Sequence, residues 1–240
     1  MDKLNLDLSP EEAEKIVSFL GYGRLSAPVW FIGLEEGLGK MDDEDTAKNL
    51  KARGKFERVM DLHKAHLHLQ AKGQPIDVEI EPPSTQVWQY MAKIMRARDG
   101  DKDWREKKSY QKYIRSHLGR ELGDTFLTEL SPIPARRTTD KKWMTKFSKL
   151  DTELVQKIKN RKDQLRQILK ETAPRLVICY GGGSKWADDF AELLDVEWRP
   201  ICHNVSASHD SRCLLLPFLG QGQMSHSVIE NLISHSLLDS

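Results

Sequence analysis

The sequence predicts an α/β fold, a three-layer α/β/α sandwich on a four-stranded, mainly parallel sheet, and two observations lead there. Four short runs of apolar, β-branched or aromatic residues stand at Val29–Ile32, Phe126–Leu130, Leu176–Tyr180 and Cys213–Leu216, and each runs into a Gly- or Pro-marked turn. Segments with helical periodicity separate them, the alternation that covers both faces of a parallel sheet with helices. Ligands of such sheets gather beyond the carboxyl ends of the strands, so the turns that follow the four runs are the first place to look for function.

The elements follow in order. Ser9-Pro10-Glu11-Glu12 combines an N-cap serine, a proline at the first helical position and a capping-box glutamate, and predicts a helix from Pro10 to Leu20 that Gly21 stops. The first strand, Val29 to Ile32, enters Gly33-Leu34-Glu35-Glu36-Gly37. Residues 40–74 form a charged, helix-favouring insertion, and Gly73 to Ser84, with three prolines, reads as a loop. Val87, Met91 and Ile94 give a helix over Gln86–Arg98, and Ile114 and Leu118 another over Tyr110–Leu118. After the second strand and Ser131-Pro132 comes a basic stretch, then a long helix from Thr152 to Thr172 that Pro174 ends. The third strand leads through Gly181-Gly182-Gly183 into a helix carrying Trp186, Phe190 and Leu194, and the fourth through Pro217 into a Gly/Gln loop, with Ser227-x-x-Glu230 capping a final helix.

A chain of 240 residues can bury a substantial core, and one domain over 1–240 is expected. Thirty-seven Lys and Arg against 36 Asp and Glu leave a net charge of +1, so the molecule as a whole lacks the strong basicity of many nucleic-acid binders. Locally the balance differs. Arg136 to Lys170 holds twelve basic residues against four acidic ones, whereas Gly33 to Asp45 holds six acids and one lysine. Three cysteines in apolar surroundings are too few for a disulfide scaffold and point to a reducing, cytoplasmic setting; no apolar stretch is long enough to cross a bilayer, so no membrane role is expected.

Several motifs fail on chemistry. Gly33 to Met41 has the wrong spacing for a phosphate-binding P-loop and puts Met41 where a hydroxyl must meet magnesium. His63, His66 and His68 lack the i, i+4 spacing of a zinc helix, and Cys202, His203, His209 and Cys213 form no ligand pattern, so no metal and no cofactor are expected. A Gly-x-Ser-x-Gly elbow and a GxGxxG fingerprint are both missing.

The strand-end motifs Val29-Trp30-Phe31-Ile32-Gly33-Leu34-Glu35-Glu36-Gly37, Phe126-Leu127-Thr128-Glu129-Leu130-Ser131-Pro132 and Ala173-Pro174-Arg175-Leu176-Val177-Ile178-Cys179-Tyr180-Gly181, taken in this order, resemble the uracil-DNA glycosylase superfamily. That resemblance implies a short parallel sheet between helices, with the chemistry on the strand-end loops. It places Glu35 in the slot of the catalytic Asp or Asn and Glu129 in the slot of the Asn that reads the base. Pro217-Phe218-Leu219-Gly220-Gln221-Gly222-Gln223-Met224-Ser225 stands where the family carries a His-Pro-Ser or Asn-Pro-Ser motif, with His226 just beyond.

The implied function is DNA base recognition with N-glycosidic bond hydrolysis; the alternatives are a catalytically inactive nucleic-acid or nucleotide-binding protein of the same fold and a small-molecule nucleoside hydrolase. The catalytic candidates are Glu35, Glu36 and His226, since a carboxylate stabilises an oxocarbenium-like state and positions water. Two adjacent carboxyls, Glu35 and Glu36, would have one pKa raised; alternatively they cap the turn or face water. The base-binding candidates are Gly33, Gly37, Glu129, Gln221, Gln223 and Ser225. An ionised Glu129 only accepts hydrogen bonds, which suits an edge with two donors and makes plain uracil a poor ligand; the competing reading is an ion pair with an arginine such as Arg136. For the backbone of DNA, single-stranded or mismatched so that the base is easily extruded, the candidates are Arg136, Arg137, Lys141, Lys142 and Lys146, interleaved with Trp143 and Phe147, together with Gly181, Gly183 and Ser184. The basic run reads equally as a solvated face, the glycines as a tight strand-to-helix turn, and His226 as an ordinary surface or core histidine.

Overall fold

A computed structural model describes residues 8–37, 42–71, 74–75, 85–135, 145, 152–181 and 183–238. The chain runs α1 (Pro10–Ser18), β1 (Gly21–Gly23), β2 (Val29–Gly33), α2 (Asp43–Arg53), β3 (Val59–Met60), α3 (Leu62–His68), β4 (Gln70–Ala71), β5 (Gln74–Pro75), α4 (Gln86–Arg98) and α5 (Lys107–Ser116). It continues through β6 (Thr125–Glu129), α6 (Thr152–Lys159), α7 (Arg161–Thr172), β7 (Leu176–Tyr180), α8 (Gly183–Leu194), β8 (Arg199–Cys202), β9 (Val205–Ala207), β10 (Cys213–Leu216) and α9 (His226–Ser234).

The expected four-stranded sheet is corrected to a mixed sheet of eight strands in the order β3-β1-β6-β2-β7-β10-β9-β8. Within it β6, β2, β7 and β10 lie side by side and parallel. These are the four apolar runs of the sequence. The additional strands are short: β1 pairs antiparallel with β6 and parallel with β3, and β9 joins β10 antiparallel before β8 adds the far edge. No helix among the described residues is long and apolar enough to cross a membrane.

Strand alternation sends side chains to opposite faces, and both faces are covered. Val29, Phe31, Leu176, Ile178, Leu214 and Leu216 pack against Leu62 and Ala65 of α3, Met91 and Ile94 of α4, Ile114 of α5 and Ile229 of α9. On the other face Trp30, Ile32, Phe126, Val177, Cys179 and Leu215 meet Leu165 and Ile168 of α7 with Phe190 and Leu193 of α8. A third cluster joins Ile16 and Val17 of α1, Leu50 of α2, Ile133 and Leu154 of α6.

Local signals explain the helix ends. Ser9 and Glu12 form the expected capping box, but α1 stops at Ser18 because Phe19 is already extended, with φ −62° and ψ 121°. The single helix expected over Thr152–Thr172 is two, divided at Asn160, whose ψ of 0° opens the helical path. At the last helix Ser225, not Ser227, occupies the N-cap; its hydroxyl lies 2.7 Å from that of Ser227 and caps no backbone amide. Of the loop expected over Gly73–Ser84, Gln74–Pro75 pairs with Gln70–Ala71 as a small hairpin, and the remainder lies outside the described residues.

The charged segment after β2 contributes to the main fold. Its β3 pairs with β1, and Arg53 and His66 from α2 and α3 are buried beside the ends of the central strands. Arg161, at the start of α7, is 3% exposed and donates to the carbonyls of Phe19, Leu20 and Glu129, tying two chain segments to one guanidinium.

Candidate functional site

The parallel register brings the site together. Gly33 of β2 pairs with Glu129 of β6, and Ile32 pairs with Cys179 of β7, so Tyr180 flanks Gly33 on the other side. Gly33, Glu129 and Tyr180 thus share one sheet face, the face of Phe31, Leu127 and Ile178. Side chains on strands two apart are ordinarily separated by the side chain of the strand between them. Here that strand presents none, and the Tyr180 hydroxyl reaches across to donate to Glu129 Oε1 at 2.8 Å. A Cβ at residue 33 would stand 2.0 Å from Glu129 Oε2 and 2.7 Å from Tyr180 Oη.

Glu129 Oε2 is buried and has no hydrogen-bond partner among the described residues. Desolvation pushes the Glu129 pKa up to about 8: the Tyr180 hydrogen bond and Arg161 oppose the rise, while the negative charges of Glu36 and Glu35 add to it. At neutral pH the carboxyl is therefore mostly protonated, carrying one donor and residual acceptor capacity. This overturns the ionised, acceptor-only Glu129 expected from the sequence, because burial beside two other carboxylates disfavours a third charge. The alternative ion pair with Arg136 lies outside the described residues.

Glu36 differs. Burial alone would raise its pKa, but Arg53, 2.5 Å from Oε1, and the Tyr22 hydroxyl, 3.2 Å from Oε2, together hold it below the ordinary value. Arg53 is in turn fixed by Asn49 at 2.8 Å, and the Glu36 side chain remains 36% exposed. Of the adjacent pair Glu35 and Glu36, the lowered group is Glu36, which serves as the anchored partner of a buried arginine rather than as a free acid, and a raised carboxyl stands on the neighbouring strand at Glu129. Glu35 is half-buried in the same turn, close enough for its charge to bear on Glu129.

Backbone bonds hold the two acidic segments together. Leu130, Ser131 and Ala135 donate to the carbonyls of Gly33, Leu34 and Glu36 at 2.9, 2.7 and 3.1 Å, and exposed Gly37 bridges Ala135. Beside them, burial pushes the pKa of His66 down to about 4. Its Nδ1 lies 2.9 Å from the Leu62 carbonyl, so the neutral ring donates there, and it packs against Tyr22 and Trp88. Among the described residues no group of three or more His, Cys, Asp or Glu is placed to hold a metal ion.

Other sequence candidates fall elsewhere. Gln221, with φ 53°, and Gln223 and Ser225 are exposed on the turn before α9; from that loop Phe218 stacks on Tyr180, ring centroids 6.5 Å apart. His226 makes its polar contact with Lys93, 3.1 Å away, rather than with a rim carboxylate. Gly181, with φ 136°, is explained by packing: a Cβ there would stand 2.9 Å from Leu34 Cγ. Gly183 opens α8, and the Ser184 side chain lies outside the described residues, as do Arg136, Arg137, Lys141, Lys142, Trp143, Lys146 and Phe147.

The sequence reading missed Tyr180, Arg53, Tyr22 and Arg161. For Tyr180 a signal existed, since its two-residue alternation with Leu176 and Ile178 assigns it to the Glu129 face. No family model matches this chain, and no curated protein matches it.

Proposed function

We propose that the rim formed by Gly33, Glu35, Glu129 and Tyr180 recognises a nucleobase-like heterocycle and hydrolyses the N-glycosidic bond that joins it to a sugar of DNA. The observation that carries this reading is the buried Oε2 of Glu129, without a partner among the described residues and set among the ends of parallel strands. A buried polar atom left without a partner costs about 1–3 kcal/mol, which a ligand edge would recover. Neutral Glu129 donates from Oε2 to a carbonyl or ring nitrogen of the base and so stabilises the departing heterocycle. Glu35 supplies negative charge to the oxocarbenium-like sugar and orients water, while Glu36 keeps Arg53 neutralised.

A carboxylic acid presents a donor beside an acceptor, the complement of a lactam edge. The repulsion that would reject plain uracil therefore does not arise when Glu129 is protonated. The proposed DNA contact is the basic 136–146 segment, carried by its sequence alone. The test incubates the purified chain with single-stranded and mismatched oligonucleotides containing uracil, hypoxanthine, xanthine or oxidised bases and scores abasic sites. Base release that disappears in Glu35→Gln and Glu129→Leu is the expected result. Binding without release would replace hydrolysis with recognition, release from free nucleosides alone would move the substrate to small molecules, and neither binding nor release would end the proposal.

A further inference from the structure

Lys93 sits on the buried side of α4 and is 8% exposed. Among the described residues no carboxylate neutralises it. Its amine lies 3.1 Å from His226 Nε2 and 4.8 Å from the ring centres of both Tyr90 and Tyr110. The Trp104 ring meets His226 edge to face, with centroids 5.3 Å apart. For Lys93 to donate to Nε2, His226 must carry its own hydrogen on Nδ1, so the imidazole of the pair is neutral. An amine within hydrogen-bond reach of a base and desolvated has the arrangement of an activated nucleophile.

We propose that Lys93 is a carbonyl-reactive amine that condenses with an aldehyde bearing a planar or apolar group, with His226 as its base. The aromatic walls of Tyr90, Trp104 and Tyr110 set the preference for such a group. The lone pair of the Lys93 free amine forms a bond to the carbonyl carbon while the π pair moves to oxygen; His226 Nε2 takes a proton from the now cationic nitrogen and passes it to that oxygen, and the second nitrogen proton follows the same route as the hydroxyl departs. Loss of that oxygen as water leaves the imine, so one amine and one aldehyde become one C=N bond and one water, with no oxidation or reduction. Burial lowers the Lys93 pKa, favouring the free amine; His226 is lowered by burial and by the charges of Lys93 and Arg105, against the pull of Glu230. Arg105 and Glu230 are paired with each other, and the phenols of Tyr90 and Tyr110 are the other titratable groups at the cluster. This chemistry is independent of the rim carboxylates.

The test treats the whole chain at pH 7 with benzaldehyde and sodium cyanoborohydride, quenches early, and measures modification of each lysine by peptide mass spectrometry. Lys93 should be labelled about fivefold or more faster than the exposed Lys107 and Lys112 of α5. His226→Gln, which keeps an acceptor but no base, should bring Lys93 down to their rate and leave theirs unchanged. The wild-type comparison needs no variant. Lys93 labelled no faster than Lys107 and Lys112, or labelled only after denaturation, would overturn the proposal, as would an unchanged Lys93 rate in a folded His226→Gln chain.

Discussion

An alanine at position 33 is the smallest change that asks whether Glu129 and Tyr180 meet because the strand between them has no side chain. The new methyl would stand 2.0 Å from Glu129 Oε2 and 2.7 Å from Cζ and Oη of Tyr180, where ordinary contact begins near 3.4 Å. The carboxyl must therefore retreat by about 1.4 Å, the difference between 3.4 and 2.0 Å. Retreat is opposed from below, since Arg161 holds the Glu129 carbonyl at 3.2 Å and Leu130 is bonded to Gly33. Overpacking of this kind costs about 1–3 kcal/mol, and the broken Tyr180–Glu129 bond about 1 kcal/mol more. Together about 2–4 kcal/mol should lower the melting temperature by about 4–16 °C in a chain of this size. Thermal unfolding followed by circular dichroism at pH 6 reads the effect, with Gly37→Ala as the control, because a Cβ there meets nothing within 4 Å. If the two alanine variants melt together, Gly33 does not hold the site open and the geometry argued for the rim is wrong.

Two further outcomes follow from the charges. An exposed glutamate titrates near 4.5, whereas Glu129 is raised to about 8, so between those pH values only the unfolded chain releases the proton and wild type loses stability as pH rises, by up to about 1.4 kcal/mol per unit. Glu129→Gln removes this slope, and urea unfolding at pH 5.5, 7 and 8.5 should show the variant gaining on wild type at each step; parallel curves would refute the linkage. Arg53→Met removes the counter-charge of Glu36, and because that carboxylate is partly exposed the loss should be about 1–3 kcal/mol by the same measurement, below the full cost of a wholly buried pair.

Much of the framework was legible because its signals are local. Leu176–Tyr180, Cys213–Leu216 and Gln86–Arg98 coincide with observed elements, each a strong periodic or apolar run between turn residues. The short strands β1, β3, β8 and β9 left no such mark: Gly21-Tyr22-Gly23 and Arg199-Pro200-Ile201-Cys202 exist as strands only through partners far along the chain. Of the site, the acidic turn and Glu129 were visible as chemistry out of place at strand ends. The protonation of Glu129 was not, since it depends on burial and on two charges from the turn after a neighbouring strand. Arg53 and Arg161 lie in charged, helix-favouring stretches with no local mark of burial; their burial depends on Glu36 and on carbonyls that only the tertiary structure supplies.

The rim depends on a glutamic acid that keeps its proton where most glutamates have lost theirs. Carbon-13 labelling of the glutamate side-chain carboxyls, with the Glu129 resonance assigned by its absence in Glu129→Gln, allows that proton to be followed by nuclear magnetic resonance through a pH titration. A midpoint near 8 is predicted. A Glu129 midpoint at or below 4.5, the value of an exposed carboxyl, would contradict it.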